Sequence, residues 1–179
     1  MACKRPELPT LSCGHCDGGN EELAGLEPRG FKWVIAGRLA ISERIGGYGF
    51  QHRRVRREEE IIWIGERGIN TVVSLMAGHQ NQAAYEGATL RCYHYPIEDE
   101  LESQDRDKVF AVLDEALGRP GASVLVHREL IGDLLVGLMG GYLVHAGLIK
   151  DPIVATSVIQ EISGRPLGPE GRRLIPEAT

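Results

Sequence analysis

Residues 122–142, ASVLVHRELIGDLLVGLMGGY, contain the strongest structural signal in the sequence. The apolar run at 124–126 predicts a short buried strand, and residues 127–133 break the pattern. Apolar residues then recur at helical spacing over 134–143, with glycines between them. A strand, a tight loop and a buried helix bring backbone N–H groups together at a helix N-terminus, which favours an anion. The stretch therefore predicts an α/β unit with a candidate site in its loop.

The frame of this stretch resembles the signature loop of the protein tyrosine phosphatases, in particular the small dual-specificity type. That loop reads Val-His-Cys, then five residues, then Arg and Ser or Thr. Here His127 and Arg128 open the frame, and Leu134 and Leu135 close it. The Tyr-Leu-Val at 142–144 falls where the family carries a similar tripeptide, which fixes the register. The resemblance implies the fold of these phosphatases.

The departures from that signature fall on the catalytic atoms. Arg128 stands where the resemblance places the nucleophilic cysteine, and Leu134 stands where it places the phosphate-binding arginine. The loop glycine is displaced to Gly132, and Glu129 and Asp133 are expected to bring negative charge toward the place meant for phosphate. Arginine has no lone pair to offer at neutral pH, and leucine cannot grip phosphoryl oxygens. We expect a phosphatase fold without phosphatase chemistry, with no catalytic residue and with Arg128 as an anion-binding candidate.

Residues 95–99, YPIED, are similar to the mobile loop that carries the general acid of these phosphatases. The resemblance assigns the general-acid position to Asp99. A general acid protonates a leaving group, and without a nucleophile there is no leaving group to protonate. We therefore interpret Asp99 as a loop residue that caps the turn before the next helix. Residues 100–102, ELE, make the rim of the site acidic.

Composition excludes several classes of protein. At 179 residues the chain has the length of one domain, and its net charge of −5 argues against a nucleic-acid partner. No run of about 18 apolar residues occurs, so no membrane span is expected. The beginning, MACKRPELP, lacks the apolar segment of a signal peptide. Four cysteines do not make a disulfide framework here, so the expected location is cytoplasmic.

Residues 1–28 are interpreted as a cysteine-containing tail, and residues 29–179 as the phosphatase-like domain. Cys13 and Cys16 form a Cys-x-x-Cys pair, and Cys3 could supply a third zinc ligand. The same spacing also occurs in thioredoxin-type redox proteins, where it follows a strand, and no strand is predicted here. The segment thus has three interpretations: a tail with unligated thiols, a zinc site or a redox pair. No other cofactor is expected.

Between these regions, strands alternate with helices, which predicts a central, mostly parallel sheet with helices on both faces. Arg54 and Arg56 lie four residues before Glu58 and Glu60, so these charges can pair on a helix that Gly68 ends. That helix face is either simply solvated or a docking patch for a partner. The predicted strands lie at 31–40, 71–75 and 89–95, and a loop is predicted to begin at Ser42. Ser103 is the predicted N-cap of a helix over 103–117. Asp151 is the predicted N-cap of a helix that Gly164 ends, and a last helix is predicted over 169–175.

The resemblance covers roughly residues 31–175 and leads to three functional hypotheses. The first is a catalytically inactive phosphatase-like protein that binds a protein partner as an accessory or regulatory subunit of a larger assembly. The second is a phosphoester phosphatase that uses Asp99 or His127 for acid–base chemistry and water as the nucleophile. The third is a zinc-binding module built on Cys3, Cys13 and Cys16.

Overall fold

The computed structural model of the protein describes residues 25–99 and 101–177, apart from the side chain of residue 51. Five strands of this part form one sheet in the order β1-β2-β5-β3-β4. In chain order the elements are β1 (Lys32–Ile35), β2 (Leu39–Glu43), a 3-10 turn (Gly49–Gln51), α1 (Arg54–Glu66), β3 (Thr71–Ser74), α2 (Gln82–Gly87), β4 (Arg91–His94), α3 (Ser103–Leu117), β5 (Val124–Arg128), α4 (Asp133–His145), α5 (Pro152–Ser163) and α6 (Pro169–Arg173).

The sheet is mostly parallel, which confirms the predicted fold class. Strands β2, β5, β3 and β4 run parallel to one another, and among the described strands only the edge strand β1 is antiparallel, to β2. Strand β5 lies at the centre, because it pairs with β2 on one side and β3 on the other. The signature stretch therefore begins in the middle of the sheet, where the carboxyl ends of the parallel strands meet.

Helices cover both faces of the sheet. Successive strand residues point to opposite faces, so Val124 and Val126 pack in a core with α3, α4, α5 and the residues that flank α6, while Leu125 packs in a second core with α1 and α2. Helix α4 is buried all along residues 134–143. This confirms that the helix after the signature loop is the central buried one.

Glycines on α4 let neighbouring segments approach its backbone. A Cβ atom at Gly137 would lie 2.5 Å from Gly171 Cα in α6, and one at Gly141 would lie 2.9 Å from Phe110 Cζ in α3. Both distances are shorter than any ordinary carbon–carbon contact. These two positions therefore require glycine for packing.

The prediction of a single strand at 31–40 is wrong, because the chain forms a hairpin there. Gly37 has φ 68°, a left-handed conformation suited to glycine, and Arg38 N donates to Ile35 O at 2.9 Å. The chain turns there and returns as β2. Ser42, predicted to begin a loop, is still part of β2.

Three helix and strand boundaries also differ from the prediction. Ser103 does not cap α3: it is the first helical residue, and Glu102 holds the cap position. His127 and Arg128 belong to β5 rather than to the break after it, and α6 ends at Arg173. Asp151 caps α5 as predicted, accepting from Ile153 N at 2.8 Å.

Candidate functional site

Four parallel strands bring polar side chains to one edge of the sheet. His127 on β5 is in register with Ser42 on β2 and with Ser74 on β3, which is in turn in register with His94 on β4. Arg128 is the last residue of β5. Ligands of parallel α/β sheets bind outside the carboxyl ends of the strands, so this edge is the candidate site.

Arg128 forms an ion pair with the loop that resembles the general-acid loop. Its Nη2 atom donates to Asp99 Oδ1 at 2.7 Å and to Glu98 O at 3.5 Å. Asp99 was expected to cap the turn before α3, whereas its carboxylate instead accepts from this guanidinium. The two positions that the resemblance assigns to nucleophile and general acid are thus occupied by groups that neutralise each other.

A second ion pair lies beside the first. Arg44, which follows β2, approaches Glu129 in the signature loop with Nη1 3.3 Å from Oε1. The negative charge of Glu129 is therefore neutralised by an arginine of the same edge. The sequence analysis missed Arg44, because its pairing with Glu129 depends on β2 lying next to β5.

Asp133 was expected to bring negative charge to the phosphate position, and that expectation is wrong. Its carboxylate accepts from Gly168 N and from Gly171 N, each at 2.6 Å, and so connects the start of α4 to α6. Gly132, the displaced loop glycine, is the N-cap residue of α4, so no side chain caps the start of this helix. Leu134 is 6% exposed and packs in the core that contains residues of α3, α4 and α5.

His127 is fully buried beneath the loop. Its Nε2 atom lies 3.0 Å from the Tyr85 hydroxyl, and its Nδ1 atom has no hydrogen-bond partner within the described part of the chain. Burial first, and then the charges of Arg44 and His94, lower the pKa of His127 to about 3. The imidazole is therefore neutral at physiological pH and has no access to solvent, which argues against His127 as an acid–base group.

A buried carboxylate lies on the α1 side of this edge, and its burial was not predicted from the sequence. Glu60 is 0% exposed; it accepts from Gly46 N at 2.7 Å and from Arg56 Nε at 2.6 Å. The predicted pairs Arg54–Glu58 and Arg56–Glu60 both form. The second pair, however, is not on a solvated face. The Glu60 carboxylate is buried against the turn at Gly46, fourteen residues earlier in the chain, and accepts a hydrogen bond from its backbone.

The predicted zinc ligands Cys3, Cys13 and Cys16 lie outside the described residues. Within residues 25–99 and 101–177, no group of three or more His, Cys, Asp or Glu side chains could hold a metal ion. Cys92 is half-buried, and burial followed by the charge of Glu86 raises its thiol pKa. Cys92 thus behaves as a small packing residue. No helix in the same part of the chain has the length and apolar character to span a membrane.

Comparison with known proteins identifies the fold. No protein-family model matches the sequence, and no curated protein matches it. Among solved structures, kinase associated phosphatase with a serine in place of its catalytic cysteine has a TM-score of 0.64 at 15% identity, over 83% of this chain and 92% of that one. The core catalytic domain of an S. cerevisiae PP-IP phosphatase, in complex with citrate, has a TM-score of 0.61 at 12% identity, over 85% of this chain and 87% of that one.

Human DUSP28 has a TM-score of 0.57 at 14% identity, over 82% of this chain and 90% of that one. These identities are low, so the likeness concerns the arrangement of the backbone. It extends over most of the described residues and nearly the whole length of each matched chain. The protein therefore has the α/β fold of the dual-specificity and protein tyrosine phosphatase-like proteins.

Proposed function

We propose that this protein is a phosphatase-like protein without phosphatase activity, which acts by binding a protein partner as an accessory or regulatory subunit. The observation that carries the proposal is the 2.7 Å ion pair between Arg128 and Asp99. It joins the two positions at which the resemblance expects a nucleophile and a general acid. A guanidinium has no lone pair with which to attack phosphorus, and without a nucleophile Asp99 has no leaving group to protonate.

The start of α4 supports the same proposal. Phosphoryl transfer through a cysteine needs a planar cation that grips the equatorial oxygens. Leu134 supplies no charge, and its side chain lies in the apolar core rather than in the loop. When a nucleophile and its electrostatic partner are both lost, what remains is little more than binding.

The loop itself has features of a contact surface. Leu130, at its tip, is 50% exposed. The Arg44–Glu129 ion pair lies on one side of it, and Arg165 Nη1 donates to Ile131 O at 2.7 Å on the other. An exposed apolar side chain on a loop held by polar contacts suits an interface anchor, because little entropy is lost on binding.

Two measurements test the proposal. The purified chain should not hydrolyse an aryl phosphate or phosphotyrosine and phosphoserine peptides. Affinity capture from the native host should then recover a partner that is lost with Leu130→Glu but retained with the control Leu148→Glu. Leu148 is 57% exposed and lies beyond the other end of α4, about 20 Å from the loop by helix rise.

Turnover that disappears in Asp99→Asn would overturn the proposal in favour of an atypical phosphatase. A captured set of proteins that is the same for wild type and Leu130→Glu would remove the loop as the contact surface. The zinc hypothesis for Cys3, Cys13 and Cys16 remains a separate prediction. Metal analysis of the purified chain tests it, with stoichiometric zinc as the supporting result.

A further inference from the structure

An open groove lies between α1 and α2, on the face of the sheet opposite α4. Its volume is about 560 Å³. One wall is a stripe of α1 residues at the spacing i, i+3, i+4, i+7 and i+8 from Arg54, and the other combines Ala83, Ala84 and Gly87 of α2 with Gln80 and Ala88, which flank that helix. Residues at this spacing share one face of a helix. Two helix faces are thus turned toward an unfilled space.

The surface of the groove is mostly apolar, and its α2 side is lined mainly by small residues. Ile61 and Ile62 contribute from α1, and Ala83 and Ala84 contribute from α2. Ile62 is 51% exposed, and Ala83 is exposed as well. Alanines allow the backbone of another segment to approach closely, while the isoleucines offer apolar area to bury.

One end of the groove is lined by two arginines, Arg54 and Arg57, and one glutamate, Glu58. The first turn of α1 contains no acidic residue, and four arginines lie at 53, 54, 56 and 57. Cations at a helix N-terminus are unfavourable within the chain, because the helix dipole is positive there. Arg54 and Arg56 are paired with glutamates, whereas the buried Nε atom of Arg57, in the groove wall, has no hydrogen-bond partner in the described residues.

We propose that this groove binds an amphipathic helix of a protein partner, with acidic residues at the end that meets Arg54 and Arg57. The apolar face of that helix would lie on Ile62 and Ala83, in the helix-in-groove manner. The whole chain has a net charge of −5, so a local basic end on an acidic protein would select for an acidic helix and fix its direction. The inference rests on the proposed binding function and adds a second contact surface, separate from the signature loop.

The test is a selection on the intact chain with a displayed library of randomised short helices. We expect the selected peptides to carry an apolar stripe with Asp or Glu at one end. For a labelled selected peptide, Ala83→Trp should fill the groove and lower the affinity roughly tenfold or more. The matched control is Ala111→Trp, an exposed alanine on α3 at the other face of the sheet, which should leave the affinity unchanged.

A second pair of variants tests the charge. Arg54→Glu should weaken binding and reduce its dependence on salt, while Arg173→Glu, an exposed arginine at the end of α6, should do neither. Failure to enrich any peptide, enrichment of peptides without acidic residues, or binding indifferent to Ala83→Trp would overturn the proposal. Self-association abolished by Ala83→Trp would overturn it too, because a second copy would then occupy the groove.

These outcomes are distinguishable from failure of the proposed function. A groove that binds no helix leaves the capture through Leu130 intact. Phosphatase turnover, in contrast, would remove the proposed function whatever the library returns.

Discussion

Arg128 and Asp99 differ sharply in their surroundings, although they form one ion pair. The arginine side chain is 20% exposed, whereas the aspartate is 96% exposed. Solvent screens such a pair strongly, so its contribution to stability is small, on the order of a few tenths of a kcal/mol. The pair therefore matters for the chemistry of the site more than for the stability of the fold.

The variant Arg128→Cys should not hydrolyse an aryl phosphate, although it restores a thiol at the position that the resemblance gives to the nucleophile. Leu134 still leaves the phosphoryl oxygens without a cation, and a thiolate alone provides only part of the transition-state stabilisation. Steady-state assays against wild type, which serves as the blank, are the measurement. Turnover in the single variant would contradict the assignment of Leu134 as a disabling residue.

His127 should make folding sensitive to acid. Its pKa is about 3 in the folded chain and near 6.5 when unfolded, so between these values only the unfolded chain takes up the proton. Stability therefore falls as pH decreases below 6.5, by roughly 1 kcal/mol per pH unit from this group. When wild type and His127→Gln are unfolded with urea from pH 7 to 5, the free energy of unfolding should depend less steeply on pH in the variant. Parallel curves of unfolding free energy against pH would mean that His127 does not contribute to the acid sensitivity.

At the level of elements, the contact between α4 and α6 stands out because it joins backbone to backbone. Gly137 lies against Gly171 in α6, and Asp133 accepts from two backbone N–H groups of the same short segment. Helix α6 has only five residues and could not persist alone. Its position is therefore determined by α4.

Gly137→Ala should destabilise the protein by about 1–3 kcal/mol, because the new Cβ would push α6 away. This is opposite to the effect expected from helix propensity, which favours alanine by up to about 1 kcal/mol. Gly65→Ala in α1 is the matched control, since a Cβ there would meet nothing within 4 Å, and it should stabilise. Denaturant midpoints of the two variants should move in opposite directions; a shift of the same sign in both would refute the packing argument.

The sequence predicted the fold best where the pattern is local. The buried strand, the apolar helix α4 and the alternation of strands with helices depend on neighbouring residues, and all were confirmed. The hairpin at Gly37 was missed because its glycine lies within an otherwise strand-like run. Only the left-handed conformation of that residue breaks the strand.

The candidate site was predicted less well, because its side chains find their partners across the fold. Asp133 accepts from Gly168, which lies thirty-five residues later in the chain, and Arg44 pairs with Glu129 eighty-five residues away. No local pattern contains that information. The burial of Glu60 has the same cause, since its partner Gly46 is in a separate turn.

At the level of the whole molecule, Arg44 and Arg128 beside the signature loop are already paired with carboxylates of the chain, and Arg165 donates to a carbonyl of the loop. We therefore expect phosphate or tungstate to leave the melting temperature unchanged relative to sodium chloride at matched ionic strength. A ligand that binds only the folded state raises that temperature with concentration. Such a rise, lost in Arg128→Ala, would show that an oxyanion displaces Asp99 and would restore Arg128 as an anion-binding residue.

The buried position of Leu134 also bears on how this protein could evolve. A guanidinium introduced there would begin among apolar neighbours, and an unpaired buried charge costs several kcal/mol, a large part of what keeps a domain folded. A single substitution of Leu134 by arginine is therefore expected to give a poorly folded variant. A cation could be placed there only together with changes that open a polar space among the surrounding helices.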